Sequence, residues 1–300
     1  FGKNNIINAG IDMVMAVDGD LDFFQNELKK AVKTNFVSKA RINDAVKRIL
    51  RQKFRLGLFK NPFPDSTLVL KLGSKEHRNK AKQAVRESLV LLKNSNSILP
   101  ISKNTPKIVV IGEHANNSGL QSGGWTINWQ GSFENYKGAT TILEGIKKNY
   151  NGTLVYDKNA TAKHYDADIA IIVVGETPYA EFFGDIGHES NTRKLTLTEE
   201  HQKYINTYSK QGVKTIVILI SGRPLVVTQQ IKQSTAFVAA WLPGSEGHGI
   251  AEVLFGDFNF TGKLPHSWPN SIEEFDQKYG PNFWNTKTKP LYPFGYGLSY

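Results

Sequence analysis

Beyond residue 100, short apolar runs alternate with helix-patterned segments, and no other feature narrows the fold as much. The runs are Lys107–Ile111, Leu154–Tyr156, Asp168–Val174, Thr215–Ile220 and Ala236–Trp241. Helical patterns occur near Thr141–Tyr150, at Thr198–Gln211, from Pro224 and at Gly247–Phe255. A strand that is apolar on both sides needs cover on both sides. The alternation therefore predicts an α/β fold, a mostly parallel sheet flanked by helices. The Pro- and aromatic-rich last 40 residues read as coil with short strands.

The first hundred residues behave differently. Ile6–Val17 contains a short apolar run that reads as one buried strand. Leu21–Thr34 and Ser38–Leu56 read as helices. In the second, Ile42, Ala45, Val46, Ile49 and Leu50 recur at helical spacing, and Gly57 supplies a stop. One strand and two helices leave that strand no sheet to join, and a lone strand cannot satisfy its own backbone groups. Residues 1–60 thus read as the tail of a larger domain. The start at Phe1, with no signal-peptide pattern after it, reads as a cut. Lys60–Gly73, with Pro62 and Pro64, reads as a linker, Ser74–Ser88 as a helix and Leu89–Lys93 as an apolar run. The expected division is 1–60, then 61–104 as linker and connecting helix, then 105–300 as the α/β domain.

Several chemistries drop out. The 300 residues contain no cysteine, which excludes a Cys nucleophile, a thiolate metal site and an iron–sulfur cluster. The net charge of +10 is spread over helix faces, as at Lys29, Lys30, Lys33, Arg41, Lys47, Arg48 and Arg51. That reads as solvated surface, with no nucleic-acid motif beside it. No apolar run reaches the roughly 18–20 residues that span a bilayer. GxxxxGK[ST] and a strand-to-helix GxGxxG are absent, and the histidines show no HExxH spacing, so neither cofactor nor metal is expected. Pro243-Gly244-Ser245-Glu246-Gly247 approaches GxSxG but lacks its first glycine, and reads as a turn into a helix.

Ligands of open α/β sheets bind beyond the C-terminal strand ends. Four loops leave such ends: Gly112–Gly124, Gly175–Asp185, Ser221–Pro224 and Pro243–Gly249. Two features point to glycan chemistry. Gly123–Gly131 sets Trp125 and Trp129 four apart between glycines, and Trp rings on a loop can stack on sugar faces. Taken alone, such a pair reads as buried core. Gly175–Asp185 gathers Glu176, Glu181 and Asp185, and clustered carboxylates of this kind can yield a general acid for glycoside cleavage. Taken alone, they read as a solvated acidic loop. Within it, Glu176 is expected to anchor the loop through nearby backbone, and Asp185 could cap a turn. Glu181 sits mid-loop between Ala180 and Phe182-Phe183, apolar neighbours that disfavour a carboxylate's charged form. Glu189 lies just beyond.

Six strings, AGIDMVM (9–15), RINDAVKRILRQKFRLGLF (41–59), AVRESLVLLKN (84–94), GGWTINWQG (123–131), GETPYAEFFGD (175–185) and YPFGYGLSY (292–300), together resemble glycoside hydrolase family 3 in order and content. The resemblance spans essentially the whole chain and is to β-glucosidases and exo-β-glucanases of the plant-type subgroup. It implies a (β/α)8 barrel followed by an α/β sandwich, with the active site between them. It also implies retaining hydrolysis of terminal β-linked glucose, by a barrel Asp nucleophile and a sandwich Glu acid/base. Residues 1–60 resemble the end of that barrel. Glu181, following Pro-Tyr-Ala, matches the acid/base; Trp129 matches the outer-subsite stacking Trp, and Trp125 a second Trp near the pocket wall. The family's nucleophile stands in a Ser-Asp-Trp type motif upstream of AGIDMVM, and Ser-Asp-Trp occurs nowhere in this sequence. The resemblance is thus to a C-terminal fragment, inactive by itself. Its expected partners are a β-glucoside or β-glucan oligosaccharide and an N-terminal barrel of the same protein. A carbohydrate-binding or scaffold module of the same α/β fold is the alternative. The resemblance also implies a secreted, lysosomal, vacuolar or periplasmic location. The sequons at Asn116, Asn151, Asn159 and Asn259 add nothing to this, being about as many as composition yields by chance.

Overall fold

A computed structural model of the chain describes residues 5–17, 19–186, 194–274 and 289–300. The strands expected after residue 100 all form, each within a residue of its expected ends. They are β2 (Lys107–Ile111), β3 (Thr153–Asp157), β4 (Ile169–Gly175), β5 (Lys214–Ile220) and β6 (Ala236–Trp241). A further strand, β1 (Val90–Asn94), completes a six-stranded sheet of order β1-β6-β5-β4-β2-β3. Five strands run parallel, and β1 pairs antiparallel with β6.

Side chains alternate between two cores, as the pleat requires. Ile108, Val110, Ile171, Val173, Ile216 and Ile218 face one core. Their neighbours Val109, Ile111, Ile172, Val174, Val217 and Leu219 face the other. The first face is covered by α4 (Lys75–Ser88), α6 (Ile142–Asn149) and α9 (Gly247–Leu254), through residues such as Val85, Ile146 and Ile250. The second is covered by α7 (Glu199–Lys210) and α8 (Thr228–Gln233), through Tyr204, Ile205, Tyr208 and Ile231. A capping box at Thr141 and Glu144 starts α6, and Thr198 caps α7. The short α5 (Ser118–Ser122) lies in the loop after β2.

The helix after β2 covers one face and the helix after β4 the other. Since β2 and β4 are neighbours, the connections part there, and the crevice beyond their C-terminal ends is a topological switch point.

The chain divides into two compact units, Phe1–Leu72 and Gly73–Tyr300. Residues 73–104, read above as linker and connecting helix, therefore belong with the sheet. Helix α4 is held to the α9 region by Arg78–Glu246 at 2.5 Å, Lys82–Glu252 at 2.9 Å and Arg86–Glu252 at 2.6 Å. Strand β1 enters the sheet itself. Near the chain's end Leu298 bridges Leu91 antiparallel, donating its N–H to the Leu91 carbonyl at 2.9 Å, and the Tyr296 hydroxyl donates to the Leu92 carbonyl at 3.2 Å. A second bridge joins Trp268 and Tyr292; residues 275–288 of the expected coil lie outside the described residues.

In the first unit, α1 is a single turn (Asn5–Asn8), followed by α2 (Asp20–Lys33) and α3 (Lys39–Arg55). The strand expected within Ile6–Val17 does not form. Residues 11–17 have no ladder partner among the described residues, and without one a strand's N–H and C=O groups stay unpaired. Their side chains still alternate: Ile11, Met13, Met15 and Val17 are exposed, while Asp12, Val14 and Ala16 are half-buried. Arg41 holds the segment, donating to the carbonyls of Ile7 (2.8 Å) and Ile11 (3.2 Å) and to Asp12 (2.8 Å).

Candidate active site

The two longest strand-end loops meet at the switch point. After β2, Gly112 turns the chain at φ 100°, where a Cβ would sit 2.1 Å from the Val173 carbonyl oxygen of β4. The chain then runs through α5 to the Trp segment, which lies against the loop after β4. A Cβ on Gly124 would come within 2.0 Å of the Tyr179 carbonyl oxygen, so only glycine permits this approach. The Gln130 side chain grips the backbone of Ala180 like a strand partner. Its Oε1 accepts from the Ala180 N–H at 3.0 Å and its Nε2 donates to the Ala180 carbonyl at 3.3 Å. The ring of Trp129 meets the edges of Phe182 and Phe183 at 5.9 and 5.7 Å.

Glu181 is thus fixed from both sides in sequence: Ala180 by Gln130, Phe182 and Phe183 by Trp129. Its own side chain is exposed at the start of a 3-10 turn, Glu181–Gly184, with φ at 54°. Trp125 (φ 58°) and Ile127 (φ 65°) share this left-handed backbone. Such conformations cost a non-glycine residue roughly 1–3 kcal/mol each and persist only where surroundings impose them. Three in two touching loops mark a strained patch.

The tryptophans stand in solvent rather than in the core: Trp125 is 69% exposed and Trp129 41%. Their rings lie 6.4 Å apart, joined by a hydrogen bond from the Trp125 N–H to the Trp129 carbonyl at 2.9 Å. The sequence brings the three candidates, Trp125, Trp129 and Glu181, onto one exposed patch. A cavity of about 380 Å³ opens beside Glu176, walled by Thr177, Leu197, Thr198, Glu199, His201 and Gln202; neither Glu181 nor either tryptophan lines it.

Glu176 anchors the loop, but through a side chain 47 residues away rather than nearby backbone. Arg223, after β5, donates from Nε and Nη2 to one Glu176 oxygen at 3.0 and 2.9 Å, and the Tyr179 hydroxyl donates to the other at 3.2 Å. Asp185 follows the 3-10 turn and donates its N–H to the Phe182 carbonyl at 3.1 Å; Glu189 lies outside the described residues. Arg223 carries no motif, though it falls in one of the four strand-end loops. Beneath Glu176, the buried His114 donates from Nε2 to the Glu176 carbonyl at 3.1 Å and packs edge-on against His201 at 5.3 Å. Burial pushes His114 down and His201 to about 4, the latter helped by its neighbour His114. Both rings are neutral near pH 7. Among the described residues, no group of three His, Cys, Asp or Glu is placed to hold a metal ion.

Residues 89–300 match the glycosyl hydrolase family 3 C-terminal domain. The chain belongs to this family. It is 33% identical to a lysosomal beta glucosidase of Dictyostelium discoideum, the match covering 98% of this chain and 38% of that protein. A crystal structure of an exo-1,3/1,4-beta-glucanase from a Pseudoalteromonas species superposes with a TM-score of 0.80 at 38% identity, covering 99% of this chain and 38% of that one. A mutant beta-glucosidase from Listeria innocua, in complex with laminaribiose, gives a TM-score of 0.77 at 25% identity, covering 99% and 44%. This family 3 chain therefore spans well under half the length of these relatives. No helix among its described residues is long and apolar enough to cross a membrane.

Proposed function

We propose that this chain supplies the acid/base half of a retaining β-glucosidase, with Glu181 as the proton donor and acceptor. The observation that carries the reading is the exposed Glu181 on a strained loop beside Trp129, at the switch point of the sheet. Family membership and the names of the relatives support glycoside hydrolysis. The laminaribiose bound to the Listeria protein supports a β-linked glucose substrate.

In this reading an upstream (β/α)8 barrel supplies the nucleophilic carboxylate, held about 5–5.5 Å from that of Glu181. In the first step the Glu181 carboxylic acid gives its proton to the glycosidic oxygen as the bond from C1 to that oxygen breaks. The barrel carboxylate meanwhile bonds to C1. In the second step the Glu181 carboxylate takes a proton from water as the water oxygen bonds to C1, releasing the nucleophile and glucose. Trp129 stacks on the sugar in the outer subsite, with Trp125 beside it at the pocket wall. A compartment outside the cytosol belongs to the same reading, by likeness to the lysosomal Dictyostelium relative.

In the full-length protein, Glu181→Ala is expected to lower turnover about 10²–10⁴-fold for glucosides with poor leaving groups. Dinitrophenyl glucosides, whose leaving group needs no proton, should lose far less in kcat/KM, which reports the first step. Added azide should restore turnover and give β-glucosyl azide. Near wild-type turnover in Glu181→Ala, with this pattern appearing in Glu176→Ala or Glu189→Ala, would move the role to another residue.

A further inference from the structure

A general acid acts only if its carboxyl is held in reach of the leaving oxygen, yet Glu181 sits on the exposed crest of a loop in a strained conformation. Something must keep that crest from relaxing. Gln130 and Trp129 grip it from outside. The two ends of the loop are gripped from inside by one residue. The Arg223 guanidinium donates Nε and Nη2 to Glu176 at the start of the loop, at 3.0 and 2.9 Å, and Nη1 to the Gly184 carbonyl at its close, at 2.6 Å. Its plane lies over the Tyr179 ring, 4.6 Å from the centroid. The Tyr179 hydroxyl returns to Glu176 at 3.2 Å. The ring lies so close to Gly184 that a Cβ there would come within 2.4 Å of it.

A guanidinium spreads its donors over a rigid planar fork, so one side chain can hold Glu176 and the Gly184 carbonyl in fixed relative positions; an ammonium, a compact point charge, lacks that fork. The Glu176 side chain is only 9% exposed and that of Arg223 22%, so solvent competes little for this pair. The charge of Arg223 is met by Glu176, and Glu181 takes no part in these contacts. Such an arrangement fixes the position of Glu181 without tying up its carboxyl.

Resting on the proposed acid/base role of Glu181, we infer that Arg223 is its positioning residue, closing both ends of the 176–184 loop so that the crest presents the carboxyl to the glycosidic oxygen. Release of the clamp leaves substrate binding and the nucleophile in place but misplaces the proton donor.

The experiment compares Arg223→Ala in the full-length protein in two backgrounds, wild type and Glu181→Ala, with a phenyl glucoside and a dinitrophenyl glucoside. In the wild-type background, kcat/KM for the phenyl glucoside, which reports the step that expels the leaving group, should fall about 10–100-fold, the scale of a modest misplacement of a catalytic group. The dinitrophenyl glucoside should lose much less. In the Glu181→Ala background the added change should cost less than about twofold, since a residue acting through Glu181 is silent without it. Arg223→Lys, for use if Arg223→Ala is poorly folded, should give the same leaving-group pattern with a smaller loss. Equal losses for both substrates, equal losses in both backgrounds, or wild-type turnover would each overturn the inference. If Glu181→Ala shows its leaving-group pattern and the Arg223 variants do not, only the positioning role falls. If Glu181→Ala itself lacks the pattern, the acid/base reading falls and the positioning role with it.

Discussion

The two units of this chain place similar apolar residues in opposite environments. In Gly73–Tyr300, β4 and β5 are apolar almost throughout and buried on both faces. In Phe1–Leu72, Met13, Met15 and Val17 lie along an extended segment, and Phe54 and Leu56 end α3, all of them exposed. Among the described residues of that unit the buried apolar side chains are Ile7, Ala31, Val37 and Ala45, with a few half-buried neighbours. What separates the two is whether a strand's hydrogen-bond partners lie within the described chain. Apolar periodicity alone does not close a core.

The sharpest way to break this comparison is to express the units apart. Residues 73–300 should unfold cooperatively on heating. Residues 1–72 should show no cooperative transition by circular dichroism, their core being too small to offset ordering the chain. A cooperative melt of 1–72 would end the distinction. Single substitutions come next. Ile171→Ala, at a fully buried position of β4, should cost roughly 2–5 kcal/mol in urea unfolding. Met13→Ala in the whole chain should stay within about 0.5 kcal/mol, as exposed positions do.

Histidine titration should act on one unit only, because Phe1–Leu72 contains no histidine. His201, on α7, titrates at about 4 when folded against 6.5 when unfolded. Between those values the unfolded chain binds the extra proton, so stability is full above pH 6.5 and falls as pH drops towards 4. The loss from this group is on the order of 3 kcal/mol, and His201→Gln should flatten that part of the profile. An unchanged slope in the variant would remove the buried ring as its cause. The smallest effect concerns strain. Glu181→Gly should melt higher than Glu181→Ala by the equivalent of about 1 kcal/mol, because glycine accepts φ 54° freely. Equal melting temperatures would mean that the crest is not strained.

Much of the sheet was legible because its strands are apolar on both sides. Lys107–Ile111 and Ala236–Trp241 end where the sequence pattern ends. Strand β1 was visible as an apolar run but not as a sheet member. Its partner Val238 is far along the chain, and a non-local antiparallel pairing leaves no periodic trace. The supposed strand in Ile6–Val17 shows the converse, a strand pattern without a partner. At the candidate site, Glu181 and the two tryptophans came from motif strings, which record chemistry but not support. Both the clamp on Glu176 and the grip of Gln130 on Ala180 join residues about 50 positions apart. Neither side chain looks unusual in its own surroundings, so no local reading could find them.

The bridge from Leu298 to Leu91 has a bearing on how this sheet meets other molecules. Open strand edges recruit further strands and so seed aggregation, and proteins cover, shorten or charge them. Here the chain's own last residues lie along the outer side of β1, while the opposite edge, β3, is five residues long and is followed by Lys158. Cutting back from Tyr300 past Leu298 would bare β1 to a neighbour's strand. Residues 296–298 work as a guard rail for the sheet.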